Sequence, residues 1–213
     1  MSQPRWAVVV PVKRLTAAKS RLRGALPGVP HEELALALAA DTLHAVLACP
    51  AVAEARVVTD DARVAQVAVA AGARVLPDEP DAGLNAAFRH GAVAGPAGWV
   101  AGLTADLPAL RPAELAAALL AAQADGVRRF VPDAPGDGTV LLAAPPGVAL
   151  DPRFGVGSAA AHAASGALPL TGDWPSLRRD VDTAADLAAA ARLGLGPRTA
   201  ALLSSGCRAA SAS

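Results

Sequence analysis

The chain is short of the residues that usually carry thiolate or structural-metal chemistry. Among 213 residues there are two cysteines, Cys49 and Cys207. They stand far apart without metal-ligand spacing, which argues against a disulfide framework or a zinc site and fits a reducing compartment. Cys49, in an apolar run that reads as helical, is expected to be a small core residue. Aromatics make up only 3%, so aliphatic side chains have to build the core. Formal net charge is zero. No global field draws the chain toward nucleic acid or a membrane, and any affinity for an anion has to be local. No run of about 18 apolar residues escapes interruption by charge, Pro or Gly, so no membrane span is expected. The opening Met1-Ser2-Gln3-Pro4-Arg5-Trp6 puts Pro and Arg ahead of a short apolar run, unlike a secretory signal. A soluble, cytoplasmic protein is expected. No Ser-His-Asp or Cys-His constellation is evident, which argues against covalent hydrolase chemistry.

What is present is apolar and alanine-rich. Hydrophobic residues reach 53% against 18% charged, a balance that favours one globular core over disorder. A single domain over 1–205 with a small, polar, flexible tail at 206–213 is expected. Ala7 to Val10 with Val12 reads as a buried strand. Pro30 opens a helix with Glu32 and Glu33 in its first turn, and Leu34, Leu38, Asp41/Thr42 and Ala45 lie along one side. Arg56 to Thr59, Arg74 to Leu76 and Trp99 to Leu103 read as strands. Helices are expected from about Ala62 to Ala71, Leu84 to Val93 and Ala113 to Ala124. This alternation predicts an α/β fold: a mostly parallel central sheet with helices on both faces. The second half, with short strands at Arg129 to Val131, Val140 to Ala143 and Leu168 with Leu170, predicts a mixed edge of the same sheet or a small lid. Asp182 or Thr183 is expected to cap a last long helix ending near Leu193.

Ligands of open parallel sheets bind beyond the carboxyl ends of the strands. Four features fall there: the loop after Val12, Thr59-Asp60, Asp106, and the loop after Arg129 to Val131. The first holds Lys13, Arg14, Lys19 and Arg21 within nine positions and suits a triphosphate. It is neither a P-loop nor a GxGxxG turn, and a solvated basic loop is the plain alternative. Asp106, after an apolar strand and before Leu-Pro, is placed to hold a divalent metal or to shape a turn. Asp182 reads first as a helix cap and becomes a second metal ligand only if its loop faces Asp106. Gly136 to Thr139 and Phe154 to Ser158 are glycine turns whose backbone N–H groups suit a phosphate or carboxylate, or are plain flexible loops. His162 reads as structural or exposed.

Five motifs then fall in order: Val10-Pro11-Val12-Lys13-Arg14-Leu15 with Ala18-Lys19-Ser20-Arg21-Leu22; Asp106-Leu107-Pro108-Ala109-Leu110; Gly138-Thr139; Pro152-Arg153-Phe154-Gly155; and Asp180-Val181-Asp182-Thr183-Ala184-Ala185-Asp186-Leu187. Together they resemble the phospholactate/phosphoenolpyruvate guanylyltransferase family of coenzyme F-420 biosynthesis, over nearly the whole chain. The resemblance implies a three-layer nucleotidyltransferase fold of the glycosyltransferase-A type. It also implies transfer of GMP from GTP to a small phosphorylated acid, with Mg2+ as cofactor. Lys13, Lys19 and Asp106 would be catalytic. Val12, Lys13, Lys19, Arg21, Thr59, Asp60 and Asn85 would meet the nucleotide. Thr139, Gly155 and Ser158 would bind phosphoenolpyruvate, and Asp106 with Asp182 would hold the metal. Asp137 departs from the family, placing an acid where a neutral hydroxyl is usual, either turned to solvent or helping the metal.

Phosphoenolpyruvate as acceptor rests on analogy; 2-phospho-L-lactate and 3-phospho-D-glycerate are the alternatives. A sugar-phosphate nucleotidyltransferase would keep the fold and change the substrate. A nucleotide-binding regulatory module would keep the fold and lose turnover. A homodimer is compatible with such a thin, alanine-rich fold.

Overall fold

The computed structural model describes residues 5–16, 20–79, 81–96 and 98–210. Strand β1 (Trp6–Pro11) leads through a basic loop and a 3-10 turn (Ser20–Leu22) into α1 (His31–Leu47). Then come β2 (Val52–Val58), α2 (Ala62–Ala71), β3 (Arg74–Leu76), α3 (Leu84–Val93), β4 (Trp99–Leu103) and α4 (Pro112–Ala121). The second half holds β5 (Arg129–Pro132), β6 (Thr139–Ala144), α5 (Ser158–Ala164), β7 (Leu168–Pro169), α6 (Pro175–Arg178), α7 (Ala184–Leu193) and α8 (Pro197–Ala210). The sheet order is β3-β2-β1-β4-β6-β5-β7. β1 pairs in parallel with both β2 and β4, and β6 runs antiparallel to β4 and β5. The second-half strands therefore continue the same sheet as its mixed edge, and a separate lid is not needed to hold them.

Alternation along β1 shows why helices cover both faces. Val8 and Val10 pack with Leu43, Val46, Val64, Leu115 and Leu119 from α1, α2 and α4. Val9, between them, packs with Ala87 and Phe88 of α3 and with Phe130, Leu142 and Phe154. A strand with period two and apolar residues on both faces has to be sandwiched. A third cluster of Leu22, Leu34, Leu38, Ala109, Val181 and Leu187 ties the start of α1 to the segments around β4 and α7.

The helix ends follow local chemistry where a cap is encoded nearby. Asp61 accepts from the N–H groups of Arg63 and Val64 at the start of α2, and Gly72 ends it in the left-handed region at φ 93°. Thr183, rather than Asp182, caps α7, forming a reciprocal capping box with Asp186. Two helices that the sequence pattern did not signal take their caps from far away. Asp41 of α1, 4% exposed, accepts from Arg198 N–H at 3.1 Å and Thr199 N–H at 2.8 Å at the start of α8. Glu114 of α4 accepts from Ser176 N–H at 2.8 Å, opening α6. Helical backbone thus runs on past 205, where composition alone puts the start of a tail; 211–213 lie outside the described residues. Cys49 is buried, but just beyond the end of α1 rather than inside it. Burial raises its thiol above the usual range, against the backbone hydrogen bonds from Ala51 and Val52.

Close packing of α3 on the sheet depends on Gly91. A Cβ there would lie 2.4 Å from Val9 Cγ1 and 3.0 Å from Val58 Cγ2. At an open helical position Gly→Ala stabilises by up to about 1 kcal/mol, but here the overpacking should reverse the sign. Gly91→Ala is expected to lose about 1–2 kcal/mol in urea unfolding; a stabilised variant would show that α3 can lift off the sheet at little cost.

Candidate active site

The carboxyl ends of β1 and β4 open onto a cavity of about 390 Å³. Its lining includes Lys13 and Arg21 on one side and Asp106 and Asp182 among the acids. Pro11, Val12, Leu15, Ala35, Leu38, Ala39 and Leu84 supply an apolar wall, and Thr104 and Ala105 complete the floor. Two cations and two carboxylates thus face one volume. The structure brings Val12, Lys13, Arg21, Asp106 and Asp182 together around this cavity. Lys19 lies outside the described residues.

Each charged loop is pinned by its neighbours. The basic loop after β1 is anchored by Leu15, 2% exposed, whose N–H donates to Asp61 Oδ2 at 2.9 Å. Burial would raise the Asp61 carboxyl, but hydrogen bonds from Leu15, Val64 and Arg63 and the Arg63 charge outweigh it and hold the pKa below 3.8. Arg14 pairs with Asp60 at 3.6 Å, and Asp60 also accepts from Asp78 N–H at 3.0 Å. Thr59 is buried and accepts from Asp61 N–H at 3.1 Å. Neither Thr59 nor Asp60 lines the cavity; they shape the turn that holds the basic loop.

The loop carrying Asp106 is held from beneath by Thr42, which is fully buried. Its hydroxyl accepts from Leu107 N–H at 2.9 Å and donates to the Leu38 carbonyl at 2.8 Å, with the Ala105 carbonyl 3.2 Å away. The Asp106 carbonyl in turn accepts from Val181 N–H at 3.0 Å. That bond brings the Asp180 to Asp182 segment against the Asp106 loop. Because Thr183 takes the cap of α7, Asp182 is not needed there and lines the cavity instead.

Thr139, Gly155 and Ser158 form a second group, none of which lines the cavity. Thr104 N–H donates to the Val140 carbonyl at 3.0 Å, linking the cavity floor to β6. Along β6 the pairing with β5 skips one residue, Val131 facing Leu141 and Pro132 facing Thr139. This bulge leaves Val140 and Leu141 on the same face and turns Thr139 to the α5 side, where strict alternation would have put it opposite. There Thr139 Oγ1 lies 2.9 Å from His162 Nδ1. His162 is fully buried, with Phe154 edge-on at 5.2 Å and Phe130 at 5.8 Å.

Phe154 anchors the turn that follows. It stacks on Phe88 at 4.1 Å, its N–H donates to Asn85 Oδ1 at 2.8 Å, and its carbonyl accepts from Asn85 Nδ2 at 3.0 Å. Asn85 therefore clasps the Phe154 backbone, and it does not line the cavity. Gly155 and Gly157 both take positive φ, 139° and 69°, which a side chain would strain. Asp137 accepts from Gly157 N–H at 3.3 Å through its carboxylate and from Ala159 N–H at 3.0 Å through its carbonyl. It binds the two glycine turns to each other.

Sequence reasoning left Thr42, Thr104 and His162 without a site role. The signal for Thr42 was present: a polar residue on an otherwise apolar helical stripe. His162 and Thr104 offered none, because their neighbours are remote in sequence.

The family described as "Guanylyl transferase CofC like" matches residues 6–166. The chain belongs to that family. Asp182 lies beyond the matched span. The chain is similar to the phosphoenolpyruvate guanylyltransferase of Salinispora arenicola, 75% identical over 198 residues, 92% of each chain. It is also similar to the phosphoenolpyruvate guanylyltransferase of Geodermatophilus obscurus, 56% identical over 208 residues, 95% of this chain and 96% of that one. Among solved structures, a nucleotidyl transferase from Methanothermobacter thermautotroptrophicus superposes with a TM-score of 0.64 at 19% identity, covering 90% of this chain and 98% of that one. The CMP:2-keto-3-deoxy-manno-octonic acid synthetase, complexed with CTP, gives 0.56 at 18%, covering 89% and 98%. The fold is that of nucleotidyltransferases, and the chain is an enzyme of the guanylyl transferase family. Among the described residues no helix is long and apolar enough to cross a membrane.

Two measurements test how the site is held. Thr42→Val leaves the buried Leu107 N–H without its acceptor and should cost about 1–3 kcal/mol. Turnover should fall further than that stability loss explains, because the Asp106 loop is released; unchanged turnover would show that Thr42 only packs. The second concerns pH. Burial pushes the His162 pKa down to about 4 from 6.5, with the nearby Arg128 charge adding to it. Between these values the unfolded chain binds a proton that the folded ring refuses. Stability should therefore be full above pH about 6.5 and fall toward pH 4, by at most roughly 3 kcal/mol. Chemical denaturation across that window should show this part of the decline missing in His162→Asn.

Proposed function

We propose that the enzyme transfers GMP from GTP to phosphoenolpyruvate, giving enolpyruvoyl-2-diphospho-5'-guanosine and pyrophosphate, in coenzyme F-420 biosynthesis. The observation that carries this reading is the convergence of Lys13, Arg21, Asp106 and Asp182 on one cavity. Such transfer needs positioning and charge neutralisation more than covalent catalysis. A phosphate oxygen of the acid attacks the α-phosphorus of GTP. The new bond joins that oxygen to the α-phosphorus, the bond from the α-phosphorus to the bridging oxygen breaks, and pyrophosphate leaves.

The roles follow from position. Lys13 and Arg21 meet the phosphates, and the family resemblance gives Lys19 the same role. The apolar wall beside Val12 and Leu84 suits the nucleoside. Thr59, Asp60 and Asn85 hold the loops around it, and Thr139, Gly155 and Ser158 take the acid. The donor set fits a hard divalent cation. Among the described residues no group of three or more His, Cys, Asp or Glu side chains gathers into a cage. Mg2+ is commonly held by one or two carboxylates together with substrate phosphates and water. Asp106 and Asp182 would hold it, and when bound it would neutralise charge on the triphosphate.

The relatives' shared name supports phosphoenolpyruvate as acceptor. Incubation with GTP, Mg2+ and each of phosphoenolpyruvate, 2-phospho-L-lactate and 3-phospho-D-glycerate, followed by mass spectrometry, decides it. Guanylylated phosphoenolpyruvate should form fastest. No guanylylated acid at all would favour a non-catalytic nucleotide-binding module. Asp106→Asn should lower kcat by about 100-fold or more while unfolding at nearly the wild-type temperature; wild-type turnover would remove Asp106 from the metal site.

A further inference from the structure

We propose that His162 is a positioning residue that fixes the Thr139 hydroxyl as a hydrogen-bond donor to the phosphorylated acid. The proposal rests on the acid-site reading above and deepens it.

The hydrogen bonds around the ring determine its proton. Arg153 N–H donates to His162 Nε2 at 2.9 Å, so Nε2 carries no hydrogen. A neutral imidazole with Nε2 accepting holds its proton on Nδ1. Nδ1 faces Thr139 Oγ1 at 2.9 Å. The Thr139 oxygen therefore accepts from the ring and cannot donate to it. Its own proton is left for another acceptor, and among the described residues no protein atom takes it. A buried hydroxyl in that state favours an anionic oxygen, because a charged acceptor makes the stronger bond. The same ring holds Arg153 N–H and so the backbone leading to Phe154 and Gly155. One side chain thus aligns the loops of Thr139 and Gly155. The β6 bulge puts Thr139 within its reach.

Two variants separate the two halves of the ring. In His162→Asn the amide N–H lies near the Nδ1 position and can still donate to Thr139. In His162→Gln the amide reaches the Nε2 position, accepts from Arg153 and leaves Thr139 without its donor. His162→Gln should raise KM for phosphoenolpyruvate about tenfold while KM for GTP stays within about twofold. His162→Asn should restore KM for the acid toward the wild-type value. Thr139→Val should reproduce the His162→Gln effect, and the double variant should add little to it. Nitrogen-15 spectra of the wild-type imidazole should show the Nδ1–H tautomer alone. An Nε2–H tautomer, equal effects of Asn and Gln, or a parallel rise in both KM values would overturn the proposal and leave His162 a packing residue. A wild-type enzyme that guanylylates none of the three acids would sink the functional reading, and this acceptor with it. A working enzyme whose His162→Gln variant keeps its acid KM would sink this proposal alone.

Discussion

The arrangement of the site depends on two adjacent buried polar side chains of α1. Thr42 bonds the backbone of the loop bearing Asp106, and Asp41 bonds the first N–H groups of α8. Burying polar groups is unfavourable unless their hydrogen bonds are met. Thr42 donates within α1 to the Leu38 carbonyl, but its acceptor bond, and both bonds of Asp41, are met only if the remote segment is in place. α1 thus fixes the Asp106 loop against the sheet on one side and docks the last helix on the other. A Cβ on Gly196 would lie 2.4 Å from Asp41 Cγ, so the chain passes this anchor at the closest distance its backbone permits.

From that anchor the site is built outward by main-chain bonds. The Asp106 carbonyl takes Val181 N–H, and Thr104 N–H reaches the carbonyl of Val140. The cavity floor and the Thr139 group are therefore neighbours through β4 and β6, two antiparallel strands paired along their length. The antiparallel insertion of β6, followed by its bulge, makes the second group possible. A parallel strand without the bulge would have turned Thr139 away from His162. Charge is equally local. The chain has two lysines, Lys13 and Lys19, six positions apart in the sequence that follows β1, whereas the whole molecule carries no formal net charge.

Much of this was legible in the sequence. The spans of α2, β3, α3 and β4 were readable because apolar periodicity, Asp61 and Gly72 act within a few residues of what they control. The carboxyl ends of the strands pointed to Lys13, Arg21 and Asp106 for the same topological reason that makes open sheets bind ligands there. α6 and α8 were not legible, since their caps come from Glu114 and Asp41 in other helices.

The sequence by itself determined the parallel sheet covered on both faces, the cationic loop and the aspartate after β4. These follow from alternation, composition and position along the chain, which are local properties. Tertiary structure alone decided that Val181 N–H meets the Asp106 carbonyl, which brings the Asp182 segment to the cavity. It also decided that Asn85 clasps Phe154, that Asp137 joins two glycine turns, and that His162 faces Thr139. Each of these is a hydrogen bond between segments far apart in sequence. Such a bond depends on register and distance, which no local pattern encodes.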